Sequence, residues 1–541
     1  MKRNKKRKKE SKKSARKPGK KKAHREIDLP ALQAIVEKAK ASLVEEEHTM
    51  LKGSVETLAV VTQELEQKGT SIARLRKLIF GARTEKTTDV LGKKPGENDG
   101  KKSSGKDKKK KKPKGHGRNG SDKYTGAEKV PVEHESLKRG DDCPECEKGK
   151  LYPLEPEVIV RITGMAPLGG KLYELEKLRC NLCGMIFKAK TPEGVSDEKY
   201  DETAAAMIAM LRYASGMPFV RLERLQDSLG IPLPRSTQWD VVRVAFEKIE
   251  AAYDALIRQA AQGEVVHNDD TTMRILGLER DESDERTGVF TTGILSTTDG
   301  KKIALFFTGK KHAGENLEDL LAHRASGLSP PVHMCDGLSH NTAGDFDTIV
   351  ANCLAHARRR YVDVANSFPD EVEYVLETLR EVYKHEASTR GMEPGKRLAY
   401  HQEHSGPLME DLEAWCKKQF DEHLVEPNSG LGEAIEYMQK HWEALTLFLR
   451  VPGAPLDNNS CERALKKAII HRKNSLFYKT ERGAHVGDGY MSLIYTCELH
   501  HVDPFDYLVA LQRNEHRVAS DPDAWMPWNY QKALEGIETN R

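Results

Sequence analysis

The stretch Gly-Glu-Val-Val-His-Asn-Asp-Asp-Thr, residues 263–271, decides the fold that we expect for this chain of 541 residues. Its apolar start and polar end are typical of a short β-strand that finishes in two adjacent acids, Asp269 and Asp270. A second run of this kind, Pro-Val-His-Met-Cys-Asp-Gly at 331–337, places Asp336 at a strand end before a glycine. Because ligands in open α/β sheets lie outside the carboxyl ends of the strands, we expect these acids to converge.

A third acid lies in the tract Asp-Asn-Asn-Ser-Cys-Glu-Arg-Ala-Leu, residues 457–465. Asp457 is a natural helix N-cap, and on the helix that follows it Glu462 shares a face with Leu465 and Ile469. An acid on an apolar face is costly to bury unless a positive charge meets it, although amphipathic helices also carry an occasional misplaced Glu. Each acid alone could be an ordinary turn or surface residue. Together, two strand-end aspartates and one helix glutamate suit Mg²⁺ or Mn²⁺ and indicate metal-assisted chemistry on a phosphodiester.

These segments resemble the Asp-Asp-Glu transposases of bacterial insertion sequences, in particular the insertion-sequence-66 family. In that family the first acid begins an Asp-Glu-Thr strand end, the second precedes a Gly, and the third lies in an Asp-Asn-Asn-x-x-Glu-Arg tract that Arg-Lys-Asn follows. The family also carries a Cys-x-x-His-Ala-Arg-Arg run. The corresponding residues here are Asp269-Asp270-Thr271, Asp336-Gly337, Asp457 to Arg463, Arg472 to Asn474, and Cys353, His356, Ala357, Arg358 and Arg359.

The resemblance implies a ribonuclease-H-like core in which Asp269, Asp336 and Glu462 are catalytic and hold two Mg²⁺ (or Mn²⁺) ions. One departure bears on the first acid, because this chain has Asp270 where the family has Glu. Strand alternation sends Asp269 and Asp270 to opposite faces, so only one of them should reach the metals. The register of the motif favours Asp269, and Asp270 is the alternative.

Several positions are candidates for DNA contacts. Residues 219–229 and 236–249 predict two helices joined by a turn, the second capped by Ser236 or Thr237, which resembles a helix-turn-helix. Helical hairpins are also common without any DNA role, and charged side chains are often simply solvated. Cys353 and His356 form only half a zinc site, and we expect them to support the active site by packing and hydrogen bonding. The candidate DNA contacts are Arg235, Thr237 and Gln238 at the hairpin, and Arg358, Arg359, Arg463, Arg472, Lys473 and Asn474 near the acids.

Two Cys-x-x-Cys pairs, separated by 33 residues, indicate a structural zinc site. Four thiolates in this spacing suit tetrahedral Zn²⁺, and the strand-like residues 157–162 between the pairs allow the chain to fold back. Redox-active pairs are the alternative. The predicted ligands of one Zn²⁺ are Cys143, Cys146, Cys180 and Cys183.

The N-terminal region favours self-association and contact with DNA. The first 25 residues contain fifteen Lys or Arg against one acid, Glu10, and a second basic run covers residues 101–114. Such blocks are expected to be disordered and to attract DNA phosphates, or else only to solubilise the chain. A heptad of apolar residues predicts a coiled coil, whose second seam position is weak, so a helix packed on its own domain is the alternative. The heptad residues are Val44, Leu51, Leu58, Leu65, Ile72 and Ile79.

The location that we expect is the cytoplasm. No apolar run is long enough for a membrane span, and the basic N-terminus lacks the apolar segment of a secretory signal. Thiols are kept reduced in that compartment. The cysteines outside the zinc set and the active site, namely Cys335, Cys416, Cys461 and Cys497, are therefore expected to be buried, reduced thiols.

The predicted fold class is a multidomain α+β and α/β chain with a ribonuclease-H-like core interrupted by an all-helical insertion. Strand-like runs at 264–269, 288–296 and 302–307 predict an antiparallel meander, and a helix near 315–325 leads to further strands at 332–336 and 348–354. The layout that we expect is a disordered basic tail (1–25), a coiled coil (26–86), a Lys/Gly-rich linker (87–125), a zinc-binding domain (126–195), a helix-turn-helix-like helical domain (196–260), the core's first part (261–361), the helical insertion (362–450), the core's second part with the Glu462 helix (451–515) and a C-terminal tail (516–541).

The function that the residues and the resemblance together predict is DNA transposition. The chain would cleave element ends with a metal-dependent Asp-Asp-Glu triad and transfer the freed strand to target DNA. Its partners would be double-stranded DNA, further copies of itself and, by the resemblance, small accessory proteins. The alternatives are a catalytically silent repressor or architectural protein derived from a transposase, and a ribonuclease-H-like nuclease that cuts without joining.

Overall fold

The computed structural model describes most of the chain after residue 197. The described residues are 36, 38, 48, 51, 138–141, 144, 150, 167–179, 186–192, 198–278, 286, 288–344 and 346–539. The chain divides into two units, residues 1–89 and 90–541. The basic tail, the lysine-rich run, almost all of the predicted coiled coil and the four predicted zinc ligands lie outside the described residues, so these remain predictions.

Five strands form one mixed sheet in the second unit. They are β3 Val265–Thr272, β4 Phe290–Thr298, β5 Lys301–Gly309, β6 Val332–Cys335 and β7 Ile349–Asn352, in the order β5-β4-β3-β6-β7. The pairs β3/β4 and β4/β5 are antiparallel, which confirms the predicted meander, and β3/β6 and β6/β7 are parallel. Because β3 and β6 run the same way, their acid-bearing ends lie at the same edge of the sheet. A separate small antiparallel pair comprises β1 Lys177–Arg179 and β2 Ile186–Lys188.

Helices surround this sheet. They are α1 Glu202–Ala209, α2 Phe219–Ser228, α3 Arg235–Ala260, α4 Ala313–Leu321, α5 Leu354–Val364, α6 Pro369–Ser388, α7 Pro394–His404, α8 Gly406–Asp421, α9 Gly430–Lys440, α10 Trp442–Leu445, α11 Asn459–Ser475, α12 Glu481–Leu499, α13 Pro504–Arg513, α14 Glu515–Ser520 and α15 Tyr530–Glu538. Within the described part of the chain, none of them is both long enough and apolar enough to cross a membrane.

Small residues allow α11 to lie directly on one face of the sheet. Its buried side includes Cys461, Ala464, Leu465 and Ala468. The thiol of Cys461 donates to the carbonyl of Gly293 on β4 at 3.2 Å, and a Cβ at Gly293 would stand 3.1 Å from Leu465. This close contact fixes the helix over β3 and β4, with its N-terminus near the acids.

The start of α11 corrects one prediction. The helix begins at Asn459 and its N-cap is Asn458, not Asp457. Asp457 instead accepts the backbone N–H and the side-chain amide of Asn459, at 3.1 and 2.6 Å. Asp457 thus takes the N–H of the first helical residue, and the side chain of Asn458 bonds the sheet instead.

Helix α12 covers the outer edge of the sheet. Three of its side chains, spaced four residues apart, accept hydrogen bonds from the backbone N–H groups of alternate residues on β5. These bonds join Thr308 to Asp488 (2.6 Å), Phe306 to Ser492 (3.0 Å) and Ala304 to Thr496 (3.1 Å). Four helical residues rise about 6 Å and two strand residues about 6.6 Å, so the two repeats stay nearly in step over this distance.

The chain between β7 and α11 is helical. Helices α5 to α10 and a 3₁₀ turn, Leu447–Leu449, occupy it, and residues 353–458, all of which the structure describes, contain no strand. These helices bury a core of their own, which includes Tyr361, Leu376, Leu412 and Ile435. A second, larger core lies between the sheet and the helices α1 to α4 and α11 to α13.

The hairpin of α2 and α3 corrects two further predictions. Helix α3 begins at Arg235, and Glu223 of α2 accepts the backbone N–H of that residue at 3.2 Å, so neither Ser236 nor Thr237 is the cap. Gln238 is fully buried, and its amide donates to the carbonyls of Phe219 and Leu233. Gln238 therefore stabilises the turn by hydrogen bonds, and because it is buried it is no longer a candidate for DNA contact.

Candidate active site

Asp269 lies on the face of β3 that carries His267 and meets α11. Burial raises the pKa of its carboxyl to about 7, against a hydrogen bond from the backbone N–H of Asp270, and the nearby carboxylates of Asp336, Glu462 and Asp270 raise it further. Three acids from two strands and one helix are thus close enough for their charges to interact. The elements that carry the three predicted acids thus meet at one end of the sheet, and the role of these acids as a triad stays a prediction.

Asp270 lies on the opposite face and is engaged by its neighbours. One carboxylate oxygen accepts the hydroxyl of Thr292 on β4 at 2.6 Å. The other accepts the backbone N–H of Ala313, the first residue of α4, at 2.8 Å and stands 3.2 Å from Nδ1 of His312. A carboxylate at a helix N-terminus meets unpaired N–H groups and the positive end of the helix dipole. Asp270 therefore fastens α4 to the sheet.

Asp336 follows the last residue of β6. Its carboxylate accepts the backbone N–H of Leu338 at 3.1 Å and the side-chain amide of Asn341 at 2.6 Å. Its backbone carbonyl accepts the hydroxyl of Tyr437, from α9, at 2.8 Å. Gly337 has a φ of +82°, a left-handed conformation that favours glycine and turns the chain directly after the acid.

Glu462 lies in the first turn of α11, facing α5. Its Oε1 is 3.8 Å from Nε2 of His356, and suitable ligand atoms of Cys353, His356 and Glu462 all lie within 4.8 Å of one another. Burial raises the pKa of the Cys353 thiol to about 12, and this thiol accepts the backbone N–H of Asn458 at 3.2 Å. These contacts suit the supporting role predicted for Cys353 and His356, and their spacing would also allow a metal ion to bind together with Glu462.

A buried network of amides and imidazoles, which the sequence did not reveal, links the elements that carry the acids. Asn458 of α11 donates to the carbonyl of Asn268 at 2.8 Å, and its Oδ1 lies 3.1 Å from Nδ1 of His267. The Asn268 side chain donates to the carbonyl of Asn341 (2.8 Å) and its Oδ1 lies 3.0 Å from Nε2 of His333. Burial lowers the pKa of both histidines to about 4, which keeps them neutral. The network ties β3, β6 and α11 together one residue away from Asp269.

The acid set has the character of a site for hard divalent cations. Oε1 of Glu462 is buried and, among the described residues, has no hydrogen-bond partner. The carboxyl of Asp269 is half-buried, and the charges of Asp336, Glu462 and Asp270 raise its pKa. Carboxylate oxygens are the ligands that Mg²⁺ and Mn²⁺ prefer, and a cation would favour the ionised form of Asp269, whose pKa burial and the neighbouring acids raise. The side chains that could hold such an ion are Asp269, Asp336 and Glu462.

The predicted DNA contacts fall into two groups. Arg235, Arg359, Arg463 and Lys473 are exposed, and Thr237, Arg358 and Asn474 are half-buried. Arg472 instead donates to the hydroxyl of Thr271 at 2.9 Å and to the carbonyl and hydroxyl of Thr272 at 2.5 Å each. The side-chain carbonyl of Asn474 accepts a hydrogen bond from the guanidinium of Arg221 at 3.3 Å. Arg472 thus joins the end of α11 to the end of β3, and a structural role accounts for its position.

The remaining cysteines of the core are as predicted. Cys335, Cys416, Cys461 and Cys497 are free thiols and all are buried, as is Cys353. Burial raises the pKa of each of these thiols. They are therefore packing residues without nucleophilic character.

The mixed α+β fold, with carboxylates gathered at one end of its sheet, is compatible with the core of a transposase. Residues 198–486, more than half of the chain, match the family model described as Transposase IS66 family, and the chain belongs to this family.

Three relatives come from Sinorhizobium fredii, and each is described as an uncharacterized protein. The protein y4hP is 26% identical over 381 residues, which cover 66% of this chain and 67% of the relative. The protein y4qI is 29% identical over 349 residues (61% and 62%), and y4jD is 27% identical over 375 residues (65% and 70%). The alignments thus leave about a third of each relative unmatched.

Proposed function

We propose that this protein is a DNA transposase that cleaves the ends of its element and joins them to target DNA. The observation that supports the proposal is at the acid-bearing end of the sheet, where burial raises the pKa of Asp269 and the charges of Asp336 and Glu462 raise it further. The strand order, with the antiparallel meander on one side of β3 and two parallel strands on the other, supports a ribonuclease-H-like core.

The acids, the buried network and the exposed basic residues would have different parts in the proposed reaction. Asp269, Asp336 and Glu462 would hold two Mg²⁺ or Mn²⁺ ions, which when bound activate the attacking oxygen and stabilise the leaving one. The network around Asn268 and Asn458 fixes the spacing of β3, β6 and α11, and so of the acids. Exposed Arg463 and Lys473 would hold the DNA backbone in line, because Lys and Arg side chains position phosphates.

Purified full-length protein with Mg²⁺ and DNA carrying both flanks of its own gene tests the proposal. We expect wild type to nick the flanks and to join the 3′ ends to a second DNA, and Asp336→Asn and Glu462→Gln to do neither. Asp363→Asn, a change of an exposed acid on α5, is the matched control and should keep both activities.

Each other outcome favours a different function. Cleavage without joining would favour a nuclease, and flank binding without cleavage by any version would favour a repressor or architectural protein. Equal cleavage by wild type and both acid variants would overturn the assignment of the acids.

A further inference from the structure

One face of α5 lines the acid site. His356 and Arg360 are four residues apart on this helix, so their side chains are neighbours on the same face. Nε2 of His356 is 3.8 Å from Glu462. Arg360 therefore lies one helical turn along from the residue that faces the third acid.

Arg360 also borders the second acid, through Tyr437 of α9. Its guanidinium carbon lies 3.9 Å from the centre of the Tyr437 ring. The hydroxyl of that ring donates to the backbone carbonyl of Asp336 at 2.8 Å. Arg360 thus lies on the face of α5 that carries His356 and contacts the ring whose hydroxyl bonds the main chain of Asp336.

The turn after Asp336 is shaped around the tyrosine. A Cβ at Gly337 would stand 3.0 Å from the Tyr437 hydroxyl oxygen, so a larger residue would push the hydroxyl away. Next to Tyr437, Nδ1 of His441 lies 3.1 Å from Oδ1 of Asn352, the last residue of β7. The helical segment between β7 and α11 is therefore fastened to the acid-bearing end of the sheet.

The guanidinium of Arg360 is exposed, and within the described part of the chain no carboxylate forms an ion pair with it. An aromatic face beneath a guanidinium restricts its motion and leaves its N–H groups pointing outward. Guanidinium groups bind phosphate oxygens in pairs of parallel hydrogen bonds, which lysine cannot do. The chemistry that fits this position is a phosphodiester of the DNA backbone.

We propose that Arg360, held on the ring of Tyr437, binds a DNA phosphate beside the cleaved bond, and that Tyr437 is a positioning residue that fixes the main chain of Asp336. This inference rests on the proposed function, because it takes DNA as the ligand of the acid site. It assigns the helical segment a part in the reaction, since the segment supplies the residue that holds the second acid.

DNA binding in EDTA tests the role of Arg360 apart from catalysis. For Arg360→Gln we expect about tenfold weaker binding of the flank DNA, and a slope of log K against log salt smaller by about one. Arg360→Lys should restore the slope but only part of the affinity. Arg390→Gln, which removes an exposed arginine after α6, is the control and should bind as wild type does. A slope unchanged in Arg360→Gln, or an equal loss in the control, would overturn the assignment of Arg360.

Mn²⁺ binding to the full chain without DNA, followed by electron paramagnetic resonance, tests the role of Tyr437. Tyr437→Phe keeps the ring under Arg360 and removes the hydroxyl. We expect Mn²⁺ affinity to fall about five- to tenfold, because one hydrogen bond that holds Asp336 is lost, while DNA affinity in EDTA stays as in wild type. Tyr437→Leu should weaken both Mn²⁺ binding and DNA binding, because it removes the hydroxyl and the aromatic ring. Wild-type Mn²⁺ affinity in Tyr437→Phe would overturn the positioning role.

The two proposals fail in different ways. If wild type cleaves the flanks while Arg360→Gln and Tyr437→Phe match it in every measurement, only this inference fails. If wild type neither binds nor cleaves the flank DNA, the proposed function fails and this inference fails with it.

Discussion

On the face of β3 that meets α4, the carboxylate of Asp270 accepts a hydroxyl and a helix N-terminal N–H, whereas on the face that meets α11 Asp269 lies among other carboxylates. The two residues are adjacent and chemically identical. Fixed donors satisfy Asp270 and make it part of the scaffold. Among the residues that the structure describes, the carboxylate of Asp269 accepts only the N–H of Asp270, and burial and the neighbouring acids raise its pKa to about 7. Neighbouring acids therefore differ in their surroundings because the two layers of helices offer them different partners.

Replacing each of these two acids by its amide tests the difference between Asp269 and Asp270 most directly. Asp269→Asn should reduce metal-dependent cleavage by at least roughly 10³-fold, since a bound metal contributes several kcal/mol to the transition state. Asp270→Asn should keep cleavage within a few-fold of wild type, measured per folded molecule on the same flank DNA. The reverse result, with Asp270→Asn inactive and Asp269→Asn active, would make Asp270 the first ligand.

Removing the Asp270 side chain altogether tests its structural role. Asp270→Ala leaves the hydroxyl of Thr292 and the N–H of Ala313 without their acceptor, which should lower the free energy of unfolding by about 3 kcal/mol. Thermal unfolding measures this loss. Asp363→Ala, at an exposed position on α5, serves as the control and should change stability by less than about 0.5 kcal/mol. A loss no larger than that of the control would show that Asp270 does not fasten α4.

Asp488 on α12 extends the comparison to a third environment, where an acid is buried but bonded. Burial raises its pKa from 3.8 to about 7, against two hydrogen bonds from Thr308. Between these values the folded state holds a proton that the unfolded state releases, so this group's contribution to stability falls as the pH rises from about 4 to about 7.

Asp488→Asn should remove this dependence on pH. We expect the variant to be more stable than wild type at pH 8 by about 1–2 kcal/mol, and no more stable at pH 5, because the amide bonds Thr308 without carrying a charge. Chemical unfolding at the two pH values gives the difference. Asp506→Asn, at an exposed position of α13, should show no such change with pH. An equal effect of Asp488→Asn at both pH values would count against a raised pKa.

The positions of the strands along the chain could be predicted from the sequence because they depend on local patterns. Apolar runs that end in Asp indicated β3 and β6, and the distance between motifs indicated a long segment before Glu462. The family was recognised from the same motifs, and the match over residues 198–486 confirms it.

What could not be predicted depends on contacts between residues far apart in the chain. Asn458 bonds the main chain of Asn268, 190 positions away, and this contact moves the helix start by one residue from the expected cap. Gln238 looked like a surface residue of a hairpin and is buried by the turn that it bonds. Arg360 follows two arginines of the recognised motif, and only its contact with Tyr437 distinguishes it from them.

The three side chains of α12 that bond β5, namely Asp488, Ser492 and Thr496, matter for shortened forms of this protein. A chain that ended before residue 481 would contain all three acids, yet the N–H groups of Ala304, Phe306 and Thr308 would lose their acceptors. An open, largely apolar edge strand of this kind recruits strands from other molecules and leads to aggregation. We expect such a shortened chain to self-associate, so the solubility of the part that carries the three acids depends on a helix that follows the last of them.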